Sequence, residues 1–192
     1  MVPQSAPEPP ASAYFMEDRH DPEETHTLAV LVDNEPGVLA RVIGLFSGRG
    51  YNIESLTVSE TQHEQHLSRI TIVTTGTRAV LEQIRNQLDR LVSVHRVTDL
   101  TMLEQRLRHE KPLERELALV KVNAEPGQRA ELMQLIEIFR GRVIDVSERT
   151  FVVEVTGSGD KIDAFEKQME GFGVRELVRT GRIAMMRGPR TV

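Results

Sequence analysis

The strongest constraint on the fold is that one short pattern occurs twice in the chain. The segment LAVLVDNEPG at residues 28–37 and the segment LALVKVNAEPG at residues 117–127 each place an apolar strand before Glu-Pro-Gly. Further on, IGLFSGRG at 43–50 is matched by IEIFRGRV at 136–143. Two matches in the same order predict a duplicated strand–helix–strand unit. The segment Ile43–Phe46 and its match Ile136–Phe139 are farther apart than the two Glu-Pro-Gly segments, which predicts a second helix longer by about one turn.

The residues after the first predicted helix complete a larger pattern. Alternating or β-branched stretches predict strands, and apolar residues at helical spacing predict a second helix. The elements in order are a strand, a polar turn, a strand, a helix and a strand, at residues 52–60, 61–66, 67–75, 78–91 and 93–103. With the first strand and helix this gives βαββαβ, the ferredoxin-like arrangement.

The same order returns in the second half, so we predict an α+β protein with two tandem ferredoxin-like βαββαβ domains. The first domain covers residues 26–103 and the second covers residues 116–192. A highly charged segment with one proline, at 104–115, joins them as a linker or as a short helix followed by a linker. Residues 1–25 are rich in Pro, Ala, Ser and acidic residues and predict a disordered tail.

Composition excludes several classes of function. The chain has no cysteine, so disulfides, thiolate catalysis and cysteine-ligated metals are excluded. The formal net charge of −5 argues against a nucleic-acid partner, since such proteins carry a basic face. No apolar run reaches the roughly 20 residues that span a membrane. We therefore expect a cytoplasmic protein without a membrane partner.

The turn DNEPG and the helix after it allow two interpretations. In the structural one, Asn34 caps the helix, Pro36 lies in the first helical turn, and the turn has no further role. In the functional one, the free N–H groups of the helix start bind a small carboxylate, and Gly37 leaves room for it. Asn34 and Asn52 then recognise the ammonium and carboxylate groups of an amino acid.

No other constellation predicts a chemical site. His63 and His66 are close in sequence but lie in a predicted loop, so a solvated loop is favoured over a metal site. Nucleophile, phosphate-loop and dinucleotide motifs are absent from the sequence. The sequence therefore predicts no catalytic residue and no metal ligand.

The longest informative run, DNEPGVLARVIGLFSGRGYNIESLTVS with LSRITIV after it, resembles the ACT domain of the small, regulatory subunits of acetohydroxyacid synthase, also called acetolactate synthase. The resemblance continues through LEQIRNQLDRLVSVHRV and RELALVKVNAE to RTGRIAMMRGPR near the end. It covers roughly residues 26–190.

The resemblance implies that the chain is not catalytic by itself. Such subunits activate a catalytic large subunit, which carries thiamine diphosphate, Mg²⁺ and FAD, and confer feedback inhibition by valine in branched-chain amino acid biosynthesis. They form homodimers through the ACT domain, and the effector binds between the two chains. The implied effector-binding residues are Asn34, Pro36, Gly37, Val38, Leu39, Ala40, Asn52 and Ile53. Ala40 is often serine in the family, so a hydroxyl contact is missing here.

Three alternatives stay open from the sequence. The first is an ACT-type sensor that regulates a different enzyme, with Val38, Leu39 and Ile53 as a wall for a branched aliphatic side chain. This wall does not separate valine from leucine or isoleucine. The second is an enzyme on the same fold, and the third is an RNA-binding module. The lack of a convergent acid, base or nucleophile opposes the second, and the lack of aromatic residues on the middle strands opposes the third.

Overall fold

The computed structural model describes residues 22–107, 111–189 and 191. Residues 1–21 of the predicted tail and 108–110 of the predicted linker lie outside this range. Regular structure extends into both predicted segments, because β1 already begins at Glu23 and β5 already begins at Leu113.

The first domain is a four-stranded antiparallel sheet with two helices on one face. The strands lie in the order β2-β3-β1-β4. A single 3-10 turn joins β2 to β3 at His63–Gln65. The elements are β1 (Glu23–Asp33), α1 (Val38–Ser47), β2 (Ser55–Gln62), β3 (Leu67–Thr77), α2 (Arg78–Leu88), β4 (Val94–Asp99) and a short α3 (Leu100–Arg106).

The second domain repeats this topology. Its strands lie in the order β6-β7-β5-β8, and a ninth strand pairs with the start of β5. The elements are β5 (Leu113–Asn123), α4 (Arg129–Ile138), β6 (Arg142–Val146), β7 (Thr150–Gly157), α5 (Gly159–Met169), β8 (Val174–Arg179) and β9 (Ile183–Met185), with a 3-10 turn at Glu170–Phe172. The predicted tandem ferredoxin-like fold is therefore confirmed.

Corresponding main-chain hydrogen bonds define how the two repeats align. The Asn34 N–H donates to the His66 carbonyl at 2.7 Å, and the Ala124 N–H donates to the Arg149 carbonyl at 2.8 Å. At the helix ends, Tyr51 donates to Phe46 at 3.0 Å, and Gly141 donates to Ile136 at 2.8 Å. Ile136 thus corresponds to Phe46. Helices α1 and α4 both have 10 residues, so the prediction of a longer second helix is wrong.

Each sheet forms its core from alternate strand residues packed beneath the helices. In the first domain, Leu28, Val30 and Val32 of β1 meet Val42 and Phe46 of α1. In the second domain, Val120 and Val122 of β5 meet Leu132 and Ile136 of α4. Because side chains alternate between faces of a strand, the intervening residues of β1 lie on the face opposite α1 and α2.

Two predicted strands have wrong bounds. The strand predicted at 93–103 ends at Asp99, where the chain turns into α3. The Asp99 side chain accepts a hydrogen bond from the Met102 N–H at 2.8 Å, which is a helix N-cap. The strand predicted to open at Asn52 begins only at Ser55, so Asn52 lies in irregular structure.

Strand β9 and the residues around it join the two domains. Ala184 and Met186 pack with Ala29 of β1 and Leu100 of α3. The Arg182 N–H donates to Ser55 Oγ at 2.9 Å, and Arg69 donates to the Ala184 carbonyl at 2.6 Å. The face of the first sheet opposite α1 and α2 is thus partly covered by α3 and by the second domain. Within the described residues, no helix is long and apolar enough to cross a membrane.

Candidate functional site

The turn between β1 and α1 is built around a left-handed glycine. Gly37 is the N-cap of α1 and has φ 88° and ψ −10°. The predicted cap by the Asn34 side chain is wrong, since α1 has no side-chain cap hydrogen bond. Pro36 lies in the turn before the helix rather than in its first helical turn. The turn is held instead by its own main chain, with the Val38 N–H donating to Glu35 at 3.3 Å.

The start of α1 therefore presents unpaired donors. Among the described residues, the N–H groups of Leu39 and Ala40 have no acceptor, and the exposed Asn34 side chain has no hydrogen-bond partner. The first N–H groups of a helix carry the positive end of its dipole. A carboxylate at this position would gain both hydrogen bonds and a favourable field.

The predicted apolar residues do not share one environment. Val38 is 3% exposed and belongs to the core, while Ile53 is half-buried against the same core. Leu39 is 38% exposed, as is Ile43 one turn later. In one chain, an aliphatic ligand would therefore meet Leu39 and Ile43 rather than the predicted wall of three residues.

Asn52 lies far from Asn34. Its carbonyl accepts a hydrogen bond from Thr74 Oγ1 at 2.6 Å, and its exposed side chain has no partner among the described residues. Asp33, next to Asn34, pairs with Leu67 at the start of β3, whereas Ser55 pairs with Val73 near its end. That length of strand is roughly 20 Å at about 3.3 Å per residue. One chain does not bring the two asparagines together.

Arg41 is a residue at this end of α1 that the sequence reasoning missed. Its guanidinium donates to Ser93 Oγ at 2.9 Å and braces the turn before β4. Arg41 and Arg90 line a cleft of about 220 Å³ beside Val38. Arg41 follows Val38 by three residues, so its place on the same helix face was readable from the sequence.

A buried histidine also escaped prediction. His26 is 1% exposed, and its Nδ1 lies 2.6 Å from Asp99 Oδ2 while its Nε2 lies 3.1 Å from Glu24. The hydrogen bond to Asp99 raises the pKa of His26, and burial opposes this effect. The described residues contain no group of three His, Cys, Asp or Glu side chains arranged to hold a metal.

Both domains match models of one protein family. Residues 28–96 match the ACT domain of the small subunit of acetohydroxyacid synthase. Residues 115–188 match the model described as the small subunit of acetolactate synthase. Together the two models cover most of the chain and divide it where the two sheets divide.

Relatives over nearly their full length agree with these models. The probable acetolactate synthase small subunit of Archaeoglobus fulgidus is 50% identical over 163 residues, which are 85% of this chain and 97% of the relative. The Mycobacterium leprae small subunit is 48% identical over 88% of this chain and 95% of the relative. The crystal structure of the Thermotoga maritima small subunit matches with a TM-score of 0.77 at 40% identity, over 87% of this chain and 99% of that one. The chain belongs to the family of acetolactate synthase small subunits, with the regulatory ACT domain of that family.

Proposed function

We propose that this chain activates a separate catalytic large subunit of acetolactate synthase and makes that enzyme sensitive to valine. The chain contributes no catalytic group and no cofactor of its own. Thiamine diphosphate, Mg²⁺ and FAD belong to the large subunit. The family of the chain and its ACT domain support a regulatory role.

The start of α1 is the observation that carries the effector site. Its unpaired N–H groups and the open space at Gly37 suit an amino-acid carboxylate, because no atom lies within 4 Å of a Cβ built on Gly37. Leu39 offers a partly exposed aliphatic surface beside it. The proposed effector-binding residues remain Asn34, Pro36, Gly37, Val38, Leu39, Ala40, Asn52 and Ile53.

The separation of Asn34 from Asn52 supports a site shared by two chains. Each asparagine has an exposed amide with no partner among the described residues, and the two lie at opposite ends of the sheet. In a two-fold dimer, the α1 start of one chain faces the Asn52 segment of its partner. Each dimer then contains two effector sites, and each site takes Asn34 from one chain and Asn52 from the other.

Inhibition by this site requires two packings of the dimer. A ligand shifts an equilibrium only as far as its affinities for the two states differ. Valine therefore binds more tightly to a packing in which the small subunit does not activate its partner. Because coupling between two binding events is reciprocal, the large subunit weakens the affinity of this chain for valine by the same factor by which valine weakens its affinity for the large subunit.

The deciding experiment mixes the purified chain with a separately purified large subunit and measures acetolactate formation with and without valine. The expected result is higher activity on mixing and a decrease when valine is added. Unchanged activity on mixing would contradict the proposed partner. Activation without any valine effect would contradict the proposed effector, and calorimetry with leucine and isoleucine would then identify the ligand, since one methylene changes binding by only about 1–3 kcal/mol.

A further inference from the structure

A second cleft lies where the face of the first sheet opposite α1 and α2 meets the β5–β9 ribbon. Its volume is about 420 Å³, within the usual range for small-molecule sites. Both domains line it. The lining residues that matter here are Arg69, Leu113, Arg115, Ile183 and Met185.

Arg69 is a half-buried cation in this cleft, and the part of the chain that the structure describes gives it no anionic partner. One of its nitrogens donates to the Ala184 carbonyl at 2.6 Å, and no carboxylate of the described residues lies within 4.0 Å of its guanidinium. Burial lowers the pKa of Arg69. A desolvated charge is unfavourable unless an opposite charge or several hydrogen bonds compensate it.

The other arginines at the junction show that such compensation is available in this fold. A guanidinium nitrogen of Arg179 lies 2.5 Å from a carboxylate oxygen of Glu116. A guanidinium nitrogen of Arg182 lies 3.4 Å from a carboxylate oxygen of Glu114. Arg69 differs from both, because the cleft it faces contains no acidic lining residue. Its unused donors therefore point to an anion from outside the chain.

The opposite wall is cationic and apolar. Arg115 is exposed, donates to the Glu114 carbonyl at 2.7 Å, and has no carboxylate within 4.0 Å among the described residues. Beside it, Ile183 is 54% exposed and Met185 is 57% exposed. Exposed aliphatic side chains next to two unpaired guanidinium groups suit a ligand that is both anionic and apolar.

We propose that this junction cleft binds a small aliphatic monocarboxylate, with its carboxylate on Arg69 and its hydrocarbon chain against Leu113, Ile183 and Met185. An amino acid fits poorly, because its ammonium group would lie near two guanidinium cations with no acidic lining residue to accept it. The ligand class is therefore a short aliphatic carboxylic acid without an ammonium group rather than the amino acid proposed for the α1 site. Because both domains line the cleft, its occupation stabilises their packing.

The test uses the full chain and isovalerate, a branched carboxylate that lacks an ammonium group. Isothermal titration should show saturable binding to the wild type. Isoamyl alcohol, which has the same branched hydrocarbon chain without the charge, should bind at least about tenfold more weakly, as expected for loss of a charge-assisted pair. Arg69→Gln should weaken isovalerate binding by a similar factor. Arg149→Gln makes the same change on an exposed arginine outside the cleft and should have no effect.

Two further arms separate this site from its alternatives. Asn52→Ala, which alters the proposed valine site, should leave isovalerate binding unchanged, so the outcome does not depend on the proposed function. Inorganic phosphate should compete weakly, because it has no hydrocarbon chain. No saturable isovalerate binding, equal binding of phosphate, or loss of binding in Asn52→Ala would each overturn the proposal. Circular dichroism shows whether Arg69→Gln folds. If this variant does not fold, the wild-type titration still tests the proposal, because the absence of saturable isovalerate binding would overturn it.

Discussion

Gly37 has a main-chain conformation that its counterpart in the second repeat does not share. Gly37 has φ 88°, whereas Gly127 is not among the glycines with positive φ. The second repeat instead begins α4 after Gln128, which has right-handed helical angles. An L-residue in the left-handed region costs roughly 1–2 kcal/mol. The first repeat therefore depends on glycine at this position.

We predict that a carboxylate at this position blocks the effector more than an amide of the same size. Gly37→Asp and Gly37→Asn carry similar main-chain strain, because Asp and Asn are among the residues that tolerate this region best. Their free energies of unfolding should agree within about 1 kcal/mol. The dissociation constant for valine, measured by calorimetry, should be at least about tenfold larger for Gly37→Asp than for Gly37→Asn. Equal weakening would mean that the ligand carboxylate does not lie at the start of α1.

A complementation experiment tests whether each site takes residues from two chains. Asn52→Ala should abolish tight valine binding and leave stability unchanged, since the main-chain carbonyl that accepts from Thr74 remains. A dimer of one Gly37→Asp chain and one Asn52→Ala chain has one doubly defective site and one intact site. Co-expressed with two affinity tags and purified, such mixed dimers should bind one valine per dimer. If they bind none, Gly37 and Asn52 do not belong to different chains of one site.

At the scale of elements, the periodic segments were predictable and the ends of some elements were not. The core stripe of α1 and the alternation in β1 and β3 identified the fold because burial follows the periodicity of each element. The similar strings IGLF and IEIF suggested that Phe139 corresponds to Phe46. Equivalence depends on the main-chain hydrogen bonds instead, and these place Ile136 at the position of Phe46. A short helix was considered only from residue 104, and the true start of α3 was missed because it depends on the Asp99 side chain rather than on an apolar period.

Asp99 links this helix to the buried His26. Its Oδ1 accepts from the Met102 N–H at 2.8 Å, and its Oδ2 lies 2.6 Å from His26. The pKa of His26 is raised in the folded state, mainly by this hydrogen bond, with a smaller contribution from Glu24. The stabilisation is therefore fully present below the unfolded pKa of about 6.5 and is lost as the pH rises through the folded pKa.

We predict that this pair makes the stability of the chain fall over the pH interval from the unfolded pKa of about 6.5 to above the folded pKa. The urea midpoint of the wild type should decrease over this interval. Asp99→Asn keeps an oxygen for the helix cap but removes the charge, so the decrease should be smaller. Asp99→Ala also loses the cap and should be less stable than Asp99→Asn at every pH, by roughly 0.5–2 kcal/mol. An unchanged pH slope in both variants would contradict the role of the pair.

At the scale of the whole molecule, the proposed α1 site is separate from the junction between the domains. The family resemblance identified the residues of the α1 site, and neither composition nor periodicity showed that Asn34 and Asn52 lie at opposite ends of one sheet. The junction was not predictable either, because Arg69 and Ala184 are distant in sequence and neither belongs to a recognisable motif. Contacts of this kind depend on how two finished domains pack, and the packing follows from shape as well as from pattern.

We predict that Ala184 determines whether the two domains unfold together. Its side chain is 7% exposed and packs with Ala29, Leu100 and Met186 across the junction. Ala184→Asp places an unpaired carboxylate there, which costs several kcal/mol, so the domains should separate and scanning calorimetry should show two transitions instead of one. Met185→Asp adds the same charge at a neighbouring residue that is 57% exposed, and should keep a single transition. Two transitions in the wild type, or one in Ala184→Asp, would show that this junction does not couple the domains.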